Sequence, residues 1–225
     1  MTALILAAVL AAGALELEEG GELARAGAAW QEKGDLQGQA RILGRLLEEA
    51  LYAGHANRAE WLIEDLEAIG CDSSLVLYWR ARLAWTCGLE RLAVEWLGRV
   101  EGEPWLEHRA AGTAFVYRGM GEDACAELTA SLREGNTRRR RFLSAVDLCF
   151  ALLQAGRIED ALELSSLMAD SFPGEGLAAY SRAMTLHAAG SDGQAVPILQ
   201  SLAGQEAVDP AMADLARGLL EVISR

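Results

Sequence analysis

The chain has 225 residues, 52% of them hydrophobic and 24% charged, so it is long and apolar enough to bury a core, which argues against disorder along its length. A formal net charge of −13 excludes the basic surface that general nucleic-acid binding requires, and it suits partners with basic patches. Four prolines, few β-branched residues and an abundance of Ala, Leu, Glu and Arg predict an all-α protein.

In chain order, the first feature is an apolar run from Leu4 to Leu15, too short to span a bilayer as a helix. It has the length of a secretory leader core and ends in the small-x-small triplet Ala12-Gly13-Ala14, but neither Lys nor Arg precedes it. Two readings stay open for residues 1–14: a leader cleaved after Ala14, which places the protein in the periplasm or outside the cell, or a first helix in a cytoplasmic protein. Residues 15–225 read as a single domain with no internal linker. Gly21 to Lys33 reads as a capping helix, closed by the turn at Gly34-Asp35.

From there a repeat dominates. Gly followed five residues later by Ala occurs as Gly54/Ala59, Gly88/Ala93, Gly119/Ala124, Gly156/Ala161 and Gly190/Ala195. Successive Ala residues are separated by 34, 31, 37 and 34 positions. Each unit reads as two amphipathic helices with apolar residues three and four apart. The Gly ends the first helix, where positive φ is wanted, and the Ala lets the second helix approach closely. The uneven 31 and 37 steps predict altered loops around the third unit. The unit from Phe142 shows the pattern best: Ala145, Leu148, Cys149 and Leu152 lie on one helix, and Ala161, Leu164, Leu167 and Met168 on the next, ending at Phe172-Pro173. The last unit is followed by Asp209-Pro210, an N-cap and a first-turn proline, so a capping helix to about Ser224 is expected to cover the end of the array.

Side chains with chemical potential are scattered. Cys71, Cys87, Cys125 and Cys149 form no metal-binding spacing; Cys87 and Cys149 read as small hydrophobes in helix packing. His55, His108 and His187 are dispersed, and no nucleotide-binding, hydrolase or zinc-protease motif occurs, so neither a catalytic constellation nor a metal or cofactor site is expected. Acidic pairs such as Glu48-Glu49 read as solvated helix faces, whereas Trp30, Trp61, Trp79, Trp96 and Trp105 fall at apolar phases and read as core.

The repeat resembles the tetratricopeptide repeat. Ala81, Gly112, Cys149 and Ala183 match its small eighth position, Ala59, Ala93, Ala124, Ala161 and Ala195 its twentieth, and Pro173 its thirty-second; the usual aromatics at the fourth and eleventh positions are mostly replaced. The resemblance covers about residues 40–207. It implies an α-α superhelix, a solenoid of about five helix-turn-helix repeats with capping helices. The function it implies is protein–protein interaction, with a peptide or partner protein held in a concave groove. The alternative is a structural or self-associating subunit of an envelope or secretion assembly.

Carried onto this chain, the family's groove-facing positions are Tyr52, Tyr78, Arg82, Trp85, Arg109, Tyr117, Phe150, Tyr180 and His187. That set is rich in the aromatic and Arg side chains that dominate binding hot spots. Arg82 and Arg109 are expected to be exposed there, because a buried Arg needs a partner. The carboxylate-clamp Lys and Asn residues of some family members are not matched. A second candidate is the run Arg138, Arg139, Arg140 and Arg141, placed after the N-cap Thr137 where cations oppose the helix dipole. It reads either as a solvated turn paired with Glu134 and Glu127 or as a docking patch for an acidic segment or anionic surface.

Overall fold

The computed structural model describes residues 23–204 and 209–225, so both readings of residues 1–14 lie outside the described residues. The described chain is twelve helices without a strand: α1 (Leu23–Glu32), α2 (Leu36–Tyr52), α3 (Ala56–Ala68), α4 (Ser73–Thr86), α5 (Glu90–Leu97), α6 (Pro104–Tyr117), α7 (Gly121–Glu134), α8 (Arg138–Gln154), α9 (Ile158–Ser171), α10 (Gly176–Ala188), α11 (Asp192–Gly204) and α12 (Pro210–Ile223). None of them is long and apolar enough to cross a membrane. Helices α2 to α11 form five hairpins, flanked by α1 and α12 as caps.

Local chemistry sets these boundaries. Asp35, Asp72, Thr137 and Asp209 each accept a hydrogen bond from a backbone N–H in the first turn of α2, α4, α8 and α12. The five repeat glycines all have φ between 72° and 76°. The residue after each donates its N–H to a carbonyl five positions back, as His55 does to Ala50 (2.9 Å) and Arg157 to Leu152 (2.8 Å). This is the Schellman closure of a helix end. Ala59, Ala93, Ala124, Ala161 and Ala195 are all fully buried where paired helices meet. The eighth-position residues behave likewise: a Cβ on Gly112 would sit 2.5 Å from Leu128 Cγ. The tetratricopeptide-like scheme is therefore the one observed, an all-α solenoid of five helical hairpins.

The uneven repeat steps come mainly from helix lengths, with one altered loop, the longer connection at 98–103, beside them. The 31 step follows from α5, which is only 8 residues long, and the 37 step from α8, which at 17 residues exceeds the 14-residue α6 by a turn. Four further expectations need correcting. Trp61 is 68% exposed on α3, the other four tryptophans of that set being buried or partly so. Leu167 faces solvent on α9. Cys87 caps α4 and is exposed, unlike Cys149. Glu48 and Glu49 are buried rather than solvated, for reasons given below.

Four apolar clusters run along the array, one between α1 and α2, the others within α2–α6, α6–α9 and α8–α12. The superhelix curls until its ends meet. Helix α12 packs on α2. Arg58 of α3 donates two hydrogen bonds to Asp209 (2.6 and 2.5 Å), His55 pairs with Asp214 (3.2 Å), and Arg45 of α2 pairs with Glu175 before α10 (3.1 Å). The ring of Tyr52, at the end of α2, stacks on Phe150 of α8 with centroids 5.5 Å apart.

Candidate binding groove

The first helices of the units, α2, α4, α6, α8 and α10, line the inner face. Because the array closes, the side chains they project inward meet one another. Arg109, on α6, is 0% exposed and spans the centre. Its Nε donates to Asp147 Oδ2 (2.6 Å), and its Nη1 and Nη2 donate to Glu48 (3.0 and 3.2 Å). Arg82, from α4 and 7% exposed, donates to Glu48 Oε2 (2.5 Å). Trp79 Nε1 gives Glu48 a further hydrogen bond (2.9 Å). Glu48, only 1% exposed, is thus the acceptor on which three donors converge.

Aromatic rings wall in these ion pairs. The Arg109 guanidinium lies 4.7 Å from the Tyr78 ring centroid, and that of Arg82 lies 4.3 Å from the Tyr52 ring. The Tyr52 hydroxyl donates to Asp147. The Tyr78 hydroxyl lies within reach of both Thr113 Oγ1 (3.2 Å) and Asp147 Oδ2 (3.4 Å). Trp85 and Tyr117 stack with centroids 3.9 Å apart and stay partly exposed at the rim.

Burial opposes every charge here, and the partners decide the outcome. Burial alone would raise the Glu48 carboxyl, but the Arg109 and Arg82 charges, with hydrogen bonds from Arg109 and Trp79, hold it down at about 2. Burial, reinforced by Asp147, pushes the Tyr52 phenol well above its ordinary range, and burial raises Tyr78 as well. Both arginines stay charged: the loss of water is outweighed by the surrounding anions. Two cations and two carboxylates balance in a space closed to solvent.

Of the sequence-predicted groove residues, Tyr52, Tyr78, Arg82, Arg109 and Phe150 therefore come together. Trp85 and Tyr117 stand at the rim beside them. Tyr180 is buried in the α8–α12 core, and His187 bonds to Asp192 (2.6 Å) at the end of α10; neither joins the network. The expected exposure of Arg82 and Arg109 does not hold, because their partners are internal: Glu48 and Asp147. Those two carboxylates are the residues that pattern reading missed. Asp147 did leave a signal, an acid inside the apolar stretch from Phe142 to Leu152.

The arginine run adopts a third arrangement. Arg140 donates to Glu103 ahead of α6 and lies 4.8 Å from the Trp105 ring. Arg139 pairs with Glu175 ahead of α10 (2.8 Å), and Arg138 donates to the Ser171 carbonyl beside the Phe172 ring. Glu127 instead takes His108 (2.8 Å). The N-terminal ends of α6, α8 and α10 line one edge of the array. The extra turn of α8 thus puts the guanidiniums of Arg139 and Arg140 between neighbouring units and that of Arg138 against the end of α9 in its own hairpin, with Arg138 and Arg141 exposed.

No family model and no curated protein matches this chain. Among solved structures it is similar to a Podosopora anserina protein described as a putative kinesin light chain with nearly identical TPR-like repeats. A point-substituted form of that protein is 18% identical, with 91% of this chain and 97% of that chain covered and a TM-score of 0.47. A second structure of it is 17% identical, covering 93% and 97%, at 0.45. A likeness this loose decides nothing here, and the fold is read from the helices themselves. The described chain is an array of helical repeats.

Proposed function

We propose that this protein is an interaction scaffold that takes a partner segment into its concave groove, and that the closed ring is its resting form. One observation carries this reading. Arg82 and Arg109, bracketed by Tyr52 and Tyr78, already receive a carboxylate from a helix, that of Glu48. The groove of α4, α6 and α8 has the chemistry of a receptor, with α2 as its internal occupant. A partner would present a carboxylate one helical turn from an aromatic ring, as α2 presents Glu48 and Tyr52. It would be acidic only locally, since the chain as a whole carries −13 and repels a strongly acidic body. The half-exposed Trp85–Tyr117 pair is where such a segment first gains contact area.

A fluorescent peptide with the sequence of residues 36–52, titrated with the full chain, tests this. Saturable binding that Trp85→Ala weakens about tenfold is expected, the variant being checked for native helicity. No binding at about 1 mM peptide, or binding that Trp85→Ala leaves unchanged, removes the groove reading.

A further inference from the structure

The closure of the ring rests on a seam rich in charge. Along the array, neighbouring units share buried apolar faces. Where α2 and α3 meet the C-terminal end of the array, polar pairs bridge the junction: Arg58 with Asp209, Arg45 with Glu175, and His55 with Asp214, while Arg139 of α8 reaches the same Glu175 from within the array. Glu49 of α2 lies inside this seam, 5% exposed, and its Oε2 is buried without a hydrogen-bond partner.

The surroundings of Glu49 define its chemistry. Two other carboxylates face it, Asp209 from the cap of α12 and Glu175 from the cap of α10. Three cations are near: Arg58 from α3, Arg139 from α8, and Arg45 one turn earlier on α2. Those cations serve the other two acids. Arg58 is bidentate to Asp209, and Arg45 and Arg139 both reach Glu175. A protonated Glu49 fits this site as a neutral group. An ionised Glu49 is a buried carboxylate with an unsatisfied oxygen beside two further anions.

We propose that Glu49 is a proton-controlled latch: protonated, it lets α12 and the start of α10 close on α2, and its ionisation releases them and opens the groove. Burial first, then Asp209 and Glu175, raise this carboxyl to about 8, with Arg139 and Arg45 offsetting only part of the effect. In the open form its ordinary value of 4.5 applies. The folded value is the raised one, so closure is strongest below 4.5 and is lost as pH rises from there through about 8. The latch stands on the surroundings of Glu49 alone; it rests on the groove reading only for what opening would expose.

Hydrogen exchange of the full chain, corrected for intrinsic rate, tests it without any partner. From about pH 6 to about pH 9, protection of α12 should fall by up to about a hundredfold relative to the core of α6 and α7. The scattering radius of gyration should rise over the same range. Glu49→Gln should stay protected to the top of the range, as should Glu49→Met, which fills the site without a polar head. His55→Gln, which removes the contact with Asp214 on the same seam, should follow the wild type. The latch is overturned if the Gln and Met variants open like the wild type, or if wild-type α12 is equally protected throughout. Uniform loss of protection along all helices, or abolition of the effect by His55→Gln, overturns it as well. Peptide binding that fails while α12 still opens would refute the groove reading and leave the latch standing.

Discussion

Glu48→Gln isolates the central network. Gln keeps the volume and one acceptor but removes the charge that faces Arg82 and Arg109, leaving two buried guanidiniums to share Asp147. Two routes give the cost. Breaking a buried ion pair by neutralising one partner typically destabilises by about 3–5 kcal/mol. Independently, the Glu48 carboxyl moves from 4.5 to about 2 on folding, which at about 1.4 kcal/mol per pH unit corresponds to about 3 kcal/mol of linkage. The two agree, so at neutral pH a loss of about 3 kcal/mol is expected. The sign follows from the depressed folded value: this stability is present above 4.5 and disappears as pH falls towards about 2. Urea titrations of wild type and Glu48→Gln, at about pH 7 and about pH 3, measure the difference. It should shrink by more than half at the lower pH. A difference that is the same at both pH values would refute the reasoning, since it would then arise from packing and not from the carboxylate charge.

Three other outcomes follow from the packing. Gly121→Ala should destabilise by about 1–3 kcal/mol in thermal melts, because the new Cβ would sit 2.7 Å from the Ala155 backbone nitrogen, which cannot rotate away. Trp61→Ala should change stability by less than about 0.5 kcal/mol, whereas Trp79→Ala, which empties a core site and removes a donor to Glu48, should cost about 3–5 kcal/mol. A thiol reagent should label Cys87 in the native protein within minutes, while Cys149, buried and pushed up to about 12, should react only on unfolding.

The repeat was legible because it is written locally. A glycine needing positive φ, an alanine at a helix crossing and a cap at a helix start each act within a few residues, and Gly54 to Ala59 and its four counterparts display them in phase. Closure of the superhelix was not legible. Curvature accumulates from small rotations at each hairpin, and no residue states their sum. The burial of Arg82 and Arg109 follows from closure and not from their position in the repeat, so a groove map carried over from open arrays misplaced them. The 31 and 37 steps showed that the spacing changes around the third unit but not which elements absorb it, because the short α5 is partly offset by the longer connection at 98–103 while α8 carries an extra turn.

Glu48 and Glu49 show how far apart neighbours in sequence can stand in function. A rotation of about 100° on α2 separates them. One side chain meets three donors and is held ionised; the other meets two carboxylates and keeps an oxygen without a donor. Their effects on the closed ring have opposite signs: acid below 4.5 weakens it through Glu48, and base above 4.5 weakens it through Glu49. The ring is therefore most firmly shut in mildly acid solution, and each limb can be removed by its own single substitution. Glu48→Gln should flatten the acid limb and leave the other, and Glu49→Gln the reverse. A packing explanation for either residue predicts no such division, because lost contact area has no pH sign.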